Sequence, residues 1–271
     1  MPDVSPSILS VVQSANKKYG KNTIGTSENM EILDIDRIPT GITKLDTGLG
    51  GGFPRGQFVE LYGPYSSGKS LISLLTIAQA QKQGLECVYF DIEGSYDEIW
   101  AESLGVDIKK LYVTQIDVGE EIVDLVCKLL DAHPGILVID SIAAITTLSE
   151  VEKDTDSHFI APLARLLSYG LKRIKHHNKN TLIILVNQIR EKITNFGSIP
   201  YSPGGNAILH YPSVRLEVKR DTDFITESGK KLDKNIIGQV CNWRVMKNKS
   251  APPRKFGSFR YFYEGNKIEE S

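Results

Sequence analysis

Apolar runs alternate along most of the chain with segments whose apolar residues recur at helical spacing. The runs predict buried strands over residues 58–62, 86–91, 136–140 and 182–186, and the spaced patterns predict helices over 69–83, 96–103, 120–131 and 158–177. Continuous apolar strands alternating with helices are typical of a parallel sheet with helices on both faces. We therefore expect an α/β fold from about residue 38 onward.

The last third of the chain has a different pattern. Strands are predicted over 214–218, 239–246 and 256–263, with no helical pattern between them. Strands that follow one another without helices commonly pair antiparallel. We expect these three to extend the same sheet rather than to form a second domain.

A short helix is predicted over residues 5–19, where Ile8, Leu9 and Val11 begin an apolar stripe. Ser5 is expected as its N-cap and Pro6 as its first residue. A polar linker follows over 20–29. Because a lone helix cannot bury its own stripe, we expect this one to pack on the main domain or on another subunit.

Composition limits the classes to which the protein can belong. Hydrophobic residues make up 41% of the 271 residues and charged residues 24%, which is ordinary for a globular protein and excludes a disordered, collagen-like or disulfide-scaffold chain. The net charge is −1, so any binding of nucleic acid must use local positive charge.

The three cysteines, Cys87, Cys127 and Cys241, fit no zinc-binding spacing. Cys87 and Cys127 lie in apolar runs, and we expect both in the core. The longest apolar stretch is too short to cross a bilayer, and no signal-peptide pattern begins the sequence. We therefore expect a cytoplasmic protein with no membrane partner.

One segment fits the phosphate-binding pattern G-x-x-x-x-G-K-[ST], between a predicted strand and a predicted helix. Its residues are Gly63, Pro64, Tyr65, Ser66, Ser67, Gly68, Lys69 and Ser70. Backbone N–H groups and the start of a helix bind phosphate oxygens in such loops. Lys69 is expected to reach the outer phosphates, and the Ser70 hydroxyl to bind Mg²⁺.

Carboxylates follow two of the predicted strands. Asp140 ends one apolar strand and is expected to hold the metal ion with Ser70. Asp91 and Glu93 follow another, and the carboxyl ends of parallel strands converge on a ligand. On these grounds alone, either Asp91 or Glu93 could activate water.

Together these segments resemble the RecA recombinase family over about residues 5–268. The resemblance rests on motifs that occur in the family's order. They are GPYSSGKS at 63–70, DIEGSYD at 91–97, DSIAA at 140–144, NQIR at 187–190, GGNA at 204–207, SVRL at 213–216 and KNKSAPP at 247–253. Two departures are Tyr65, where the family has Glu, and Trp100, where it has Tyr.

The resemblance implies an ATP-binding and Mg²⁺-binding site and assigns roles at matching positions. It favours Glu93 over Asp91 as the group that activates water, and it places Asp97 and Trp100 against adenine. It assigns Gln188 as the sensor of the γ-phosphate. It assigns Lys247 and Lys249 as the two lysines that reach the ATP of a neighbouring subunit.

The resemblance also implies DNA-binding positions. Arg165, Ser168 and Lys172 have the spacing of one helix face. The second DNA loop, 189–205, and the residue after it contribute Arg190, Ile193, Phe196, Gly204, Gly205 and Asn206. A secondary site for duplex DNA is expected at Lys219, Arg220 and Arg244, where ordinary surface charge is an equally open interpretation.

The predicted organisation follows from these matches. Residues 1–30 form a helix and linker that dock on a neighbouring subunit, and residues 31–271 form the RecA-like core. The first DNA loop, about 150–160, is acidic, and the chain ends where the family's C-terminal domain is expected. A compact phage or mobile-element form of the family, working in the host cytoplasm, is compatible with this ending.

The main hypothesis is an ATP-dependent recombinase that forms a helical filament on single-stranded DNA and exchanges strands with a homologous duplex. One alternative is a hexameric motor of the same fold. Another is a recombination mediator that hydrolyses ATP weakly. The KNK motif and the long loop after NQIR favour the filament, and Glu93 argues against the mediator.

Overall fold

A computed structural model describes residues 7–20, 23–26, 35–151, 162–194, 197–201, 203–227, 229 and 235–270, with backbone alone at 190–194, 197–201 and 223. Its strands are β1 (Arg37–Ile38), β2 (Phe53–Pro54), β3 (Phe58–Gly63), β4 (Cys87–Asp91), β5 (Leu111–Thr114), β6 (Ile136–Asp140), β7 (Leu182–Gln188), β8 (Arg190–Thr194), β9 (Gly197–Tyr201), β10 (Val214–Thr226), β11 (Ile236–Asn248), β12 (Phe256–Phe262) and β13 (Ile268–Glu270). Its α-helices are α1 (Ile8–Tyr19), α2 (Thr43–Leu49), α3 (Lys69–Lys82), α4 (Glu98–Ser103), α5 (Gly119–Leu130), α6 (Leu148–Val151), α7 (Pro162–His177) and α8 (Gly205–His210).

Within these ranges, nine strands form one mixed sheet in the order β13-β12-β11-β10-β3-β7-β6-β4-β5. The strands from β10 to β5 run parallel. Strands β11, β12 and β13 continue the sheet antiparallel. The expected α/β core with an antiparallel extension is therefore confirmed. The sequence pattern missed β5, a four-residue strand in which only Leu111 is buried.

Two apolar cores cover opposite faces of the sheet. Alternation along β4 directs Cys87 and Tyr89 to one core, which also receives α2, α3 and α4. Val88 and Phe90 face the other core, with α5, α7 and α8. Burial on both faces explains why these strands are continuous apolar runs rather than alternating ones.

The chain divides into two compact units, residues 1–36 and 37–271. In the first unit α1 begins at Ile8 and not near residue 5. The Oγ of Ser7 accepts a 3.3 Å hydrogen bond from the N–H of Ser10, so Ser7 is the N-cap and the prediction of Ser5 was wrong. The side chain of Ile8 is 84% exposed, and no residue of α1 is buried.

The expected second DNA loop contains regular backbone structure. Strands β8 and β9 pair antiparallel, with Arg190 opposite Tyr201 and Thr194 opposite Gly197. This hairpin follows directly from β7 of the main sheet. Phe196 and most of the acidic segment at 150–160 lie outside the described residues.

Candidate active site

Strand register brings the predicted nucleotide residues to one edge of the sheet. Gly63 at the end of β3 lies beside Gln188 at the end of β7, and Asp91 on β4 lies beside Asp140 on β6. A cleft of about 420 Å³ opens there. Its walls include the predicted residues Tyr65, Ser66, Ser67, Gly68, Lys69, Ser70, Glu93, Asp97, Trp100, Asp140 and Gln188. This is the position at which parallel α/β sheets bind ligands.

The phosphate loop is shaped by its backbone. Gly68 has φ +100°, which side-chain-bearing residues rarely adopt, and it leads directly into α3. The ammonium group of Lys69 donates to the carbonyls of Pro64 at 2.6 Å and Gly63 at 3.1 Å. Burial lowers the pKa of Lys69, although Asp140 and Glu93 act in the opposite direction. The lysine is therefore held at the loop from which it is expected to reach phosphate.

The predicted metal ligands are in contact with each other. The Ser70 hydroxyl donates a 2.6 Å hydrogen bond to Oδ2 of Asp140, a side chain that is 5% exposed. The phenol of Tyr89 donates to the same oxygen at 2.8 Å. Burial raises the pKa of Asp140, and the bonds from Ser70 and Tyr89 oppose that rise. A hydroxyl and a carboxylate are hard oxygen donors and fit Mg²⁺, which takes its other ligands from water and phosphate.

Asp91 and Glu93 have different surroundings. Asp91 is 1% exposed, and its carboxylate accepts from the N–H of Ser95 at 2.9 Å and from Nε2 of Gln115 at 3.3 Å. Glu93 lines the cleft, and its Oε1 accepts from Oγ of Ser141 at 2.5 Å and from Nε2 of Gln188. The Asp91 carboxylate therefore fixes the loop that follows β4, while the Glu93 carboxylate faces the cleft.

The expected base-contacting residues lie on one short helix. Asp97 caps α4 by accepting a 3.0 Å hydrogen bond from the N–H of Trp100. The indole Nε1–H of Trp100 donates to the phenol of Tyr261 at 2.7 Å. The Asp97 carboxylate therefore stabilises the N-terminus of α4, the helix that carries Trp100.

Several cleft residues were not expected from the sequence. They are Tyr89, Ser95, Tyr96, Gln239, Tyr261 and Tyr263, together with the apolar Leu71 and Leu74. Tyr89 could have been found, because the hydroxyl of a tyrosine in a buried strand usually has a hydrogen-bond partner, and this strand ends at the ligand-binding edge. Tyr261 lies on β12, and no local pattern links it to Trp100.

A sequence profile of the RecA N-terminal domain matches residues 7–268. Protein RecA of Campylobacter hominis is 40% identical over 256 residues, which cover 92% of this chain and 72% of that protein. Protein RecA of Francisella tularensis subsp. novicida is 40% identical over 267 residues, covering 96% and 73%. This chain belongs to the RecA family.

The structure agrees with that membership. The RadB recombinase crystal structure superposes with a TM-score of 0.63 at 20% identity, covering 86% of this chain and 99% of that one, and supports the fold. RecA-family proteins are P-loop ATPases that act in DNA recombination and repair and bind ATP and DNA. No helix in the described part of the chain is long and apolar enough to cross a membrane.

The two lysines of the KNK motif, Lys247 and Lys249, do not line the cleft. Lys247 donates to the carbonyls of Leu209 at 2.9 Å and His210 at 3.0 Å, at the end of α8. Burial lowers its pKa, and the charges of Lys249 and Arg215 act in the same direction. Lys249 is exposed.

The predicted DNA-contacting residues of α7 form one exposed face. Arg165, Ser168 and Lys172 are exposed, whereas Leu167 and Leu171 of the same helix are buried. The end of the second DNA loop packs on the same helix. A Cβ on Gly204, where φ is +104°, would lie 2.7 Å from Leu167. Gly205 and Asn206 follow at the start of α8, and both are exposed.

The three cations of the expected secondary DNA site do not form one surface. Lys219 pairs with Asn242 and Arg220 with Cys241, so strand alternation places their side chains on opposite faces. Arg244 is opposite Glu217, on the face of Lys219. Arg220 shares the face of Cys241, which belongs to the core beneath the phosphate loop. The family resemblance had grouped Lys219 with Arg220, and a DNA-binding role for these residues stays a prediction.

The cysteines are structural. Cys87, Cys127 and Cys241 are all buried as free thiols, which confirms the core positions expected for the first two. Burial raises the pKa of Cys87 to about 12. No group of three or more His, Cys, Asp or Glu side chains in the described ranges could hold a metal ion.

Proposed function

We propose that this RecA-family protein is an ATP-dependent DNA recombinase. It assembles head-to-tail into a helical filament on single-stranded DNA and exchanges strands with a homologous duplex. The observation that carries the proposal is the contact between Glu93 and Gln188. It links the carboxylate best placed to activate water to the residue that directly precedes the second DNA loop.

Glu93 activates the attacking water in this proposal. Its carboxylate lies in the cleft near Lys69 and Asp140, whereas the buried Asp91 is committed to Ser95 and Gln115. Gln188 contacts Glu93 directly, and β8 begins two residues after it. If Gln188 exchanges its contact with Glu93 for one with the γ-phosphate, the resulting shift of Gln188 is transmitted along the backbone to the second DNA loop.

The Mg-ATP site uses residues already in contact. Lys69 and the N–H groups of the phosphate loop bind the phosphates, and Ser70 and Asp140 hold the metal ion. Magnesium neutralises phosphate charge when bound. Asp97 and Trp100 form the base side of the cleft.

Filament assembly completes the site from a second copy of the chain. Lys247 and Lys249 supply positive charge to the neighbour's ATP, as arginine fingers do in other ATPases. The unit 1–36, which contains α1 with its exposed apolar residues, docks on the adjacent core. Arg165, Ser168 and Lys172, together with the second DNA loop, bind the DNA backbone.

The first experiment measures ATP hydrolysis with and without single-stranded DNA. The wild type is compared with Glu93→Gln and with Glu121→Gln, a matched change at an exposed residue of α5. We expect DNA to stimulate turnover, because DNA bound at the second DNA loop acts through Gln188 on Glu93, a group of a kind that typically contributes about 10²–10⁴-fold to turnover. Glu93→Gln should lose this turnover, and Glu121→Gln should keep it.

Electron microscopy with ATP and single-stranded DNA tests the assembly. Helical filaments would support the recombinase. Closed hexamers with DNA-independent turnover would replace it with a motor of the same fold. DNA binding without turnover would replace it with a mediator.

A further inference from the structure

We propose that Tyr261 and Asn266 are positioning residues that hold the indole of Trp100 as a fixed wall against the base of the bound nucleotide. The inference rests on the proposed function, in which Trp100 contacts adenine. It is drawn from a closed ring of hydrogen bonds beside the cleft, made by Trp100, Tyr261, Asn266 and Ser103.

Every link of this ring has a donor and an acceptor. The indole of Trp100 donates to the phenol of Tyr261 at 2.7 Å, and that phenol donates to Oδ1 of Asn266. The amide of Asn266 donates to Oγ of Ser103 at 2.6 Å. Ser103 donates in turn to the backbone carbonyl of Trp100 at 2.6 Å. The hydroxyls of Tyr261 and Ser103 therefore each accept one hydrogen bond and donate one.

The ring joins elements that are far apart in the sequence. Trp100 and Ser103 lie on α4, Tyr261 lies on β12, and Asn266 lies in the turn before β13. Trp100 and Tyr261 both line the cleft, whereas Asn266 and Ser103 are not part of its lining. The antiparallel extension of the sheet thereby fixes a side chain that belongs to the nucleotide-binding half.

Fixing the indole affects how it meets a ligand. A side chain already held in place loses less conformational freedom on binding than one that must be ordered. The indole N–H is donated to Tyr261, so Trp100 offers its π face rather than a hydrogen-bond donor. We infer that this wall favours large aromatic bases by stacking and does not read the base edge.

The test uses two ligands that share the phosphate site and differ in the base. Dissociation constants of ADP and inorganic tripolyphosphate are measured by calorimetry with Mg²⁺ on the full chain. Tyr261→Phe keeps the ring that packs in the cleft and removes only the hydroxyl. We expect ADP to bind about three- to tenfold more weakly, from loss of a preorganised stacking surface. Tripolyphosphate should bind unchanged.

Two further variants separate positioning from damage to the fold. Ser103→Ala, at an exposed residue outside the cleft lining, opens the ring at its far link and should weaken ADP binding by about twofold, because one link of four is lost. Tyr112→Phe, at a residue 64% exposed, is the matched control and should bind both ligands as the wild type does. The fluorescence anisotropy of Trp100, read in a Trp243→Phe background, should fall in Tyr261→Phe.

The outcomes are distinguishable. Unchanged ADP affinity in Tyr261→Phe would overturn this inference and leave the proposed function intact. Equal weakening of ADP and tripolyphosphate would also overturn it, because the defect would then lie in the whole cleft. A wild-type protein that binds neither ligand would overturn the proposed function and this inference with it.

Discussion

Tyr89 donates a 2.8 Å hydrogen bond from its phenol to Oδ2 of Asp140, the oxygen that also accepts from Ser70. Tyr89 lies on β4 and Asp140 on β6, which are neighbours in the sheet. Both side chains are buried. Burial raises the pKa of Tyr89, and the nearby carboxylate raises it further, so the phenol stays protonated and remains a donor. The orientation of the expected metal ligand therefore depends on a residue that does not itself bind metal.

Replacing Tyr89 with Phe should weaken the metal site. The change keeps the aromatic ring and removes one of the two donors that hold the Asp140 carboxylate. We expect the Mg²⁺ concentration for half-maximal ATP hydrolysis to rise about tenfold, as for other residues that orient a metal ligand. Tyr112→Phe is the control. An unchanged Mg²⁺ requirement in Tyr89→Phe would show that Ser70 alone positions Asp140.

The sequence predicted those parts of the site that lie within one segment. The phosphate loop, Asp140 at the end of β6 and the loop after β4 each follow from the residues beside them. Which of Asp91 and Glu93 faces the cleft did not follow from spacing. Partners distant in the sequence supply the difference, since Gln115 donates to Asp91 and Gln188 donates to Glu93.

Contacts across the fold were beyond the sequence patterns. The bond between Trp100 and Tyr261 joins residues 161 positions apart, and their contact depends on the complete sheet. Lys219 and Arg220 lie on opposite faces of the sheet because side chains alternate along β10. The strand predicted from the sequence, 214–218, ended before these two residues, so it gave no information about their faces. The start of α1 was predicted too early because Ser5 followed by Pro6 fits the pattern of a helix N-terminus, whereas in the structure Ser7 caps the helix and Ile8 is its first residue.

The buried ion pair between Glu60 and Arg215 predicts a large loss of stability when one partner is removed. The Glu60 side chain is fully buried, and its Oε2 accepts from Nε of Arg215 at 2.5 Å. Burial raises the pKa of Glu60, against the opposing effects of Arg215 and Asn187. Arg215→Met should lower the free energy of unfolding by about 3–5 kcal/mol, because it leaves a buried carboxylate unpaired.

Urea denaturation measures this effect, and the double variant Glu60→Met with Arg215→Met is its control. With both charges removed, the loss should be smaller than in Arg215→Met alone. A double variant no more stable than the single one would mean that packing around Arg215, including its contact with the Tyr62 ring at 4.7 Å, dominates over the charge.

Glu270 predicts a pH-dependent contribution to stability. Its two carboxylate oxygens accept from the N–H groups of Thr43 and Lys44 at 2.6 Å each, at the start of α2. Burial acts to raise the pKa of Glu270, but these backbone bonds outweigh it and hold the pKa below its ordinary value. An acid with a lowered pKa in the folded state stabilises the fold above its ordinary pKa, and that contribution disappears as the pH falls through the folded pKa.

Glu270→Gln should therefore reduce stability by about 0.5–1 kcal/mol at pH 7, a modest value because solvent screens this exposed carboxylate. As the pH falls from 7 through the lowered pKa of Glu270, the variant and the wild type should approach equal stability. Thermal unfolding at pH 7 and at the acid end of this range measures the difference. A gap that stays constant between the two would exclude the charged cap as its cause.

Asp91 and Glu93 should respond differently to loss of their negative charge. Asp91→Asn weakens the acceptor for Ser95 and Gln115, so we expect a loss of about 1–2 kcal/mol in the free energy of unfolding. Glu93→Gln should remove turnover and leave unfolding nearly unchanged, because Glu93 is exposed in the cleft. Denaturation curves and turnover are measured on both variants. The assignment fails if Asp91→Asn loses turnover at unchanged stability.

The exposed face of α7 makes a prediction about salt. Each cation that neutralises a DNA phosphate releases counterions, so the slope of log affinity against log salt for single strands changes by about 0.7 per contact. Arg165→Ala and Lys172→Ala should each reduce the slope by about that amount and weaken all sequences alike. Lys128→Ala, at an exposed lysine of α5, should leave it unchanged. Titrations of fluorescent single strands at several salt concentrations give the slopes. If the slopes of all three variants match the wild type, this helix face does not contact the DNA backbone.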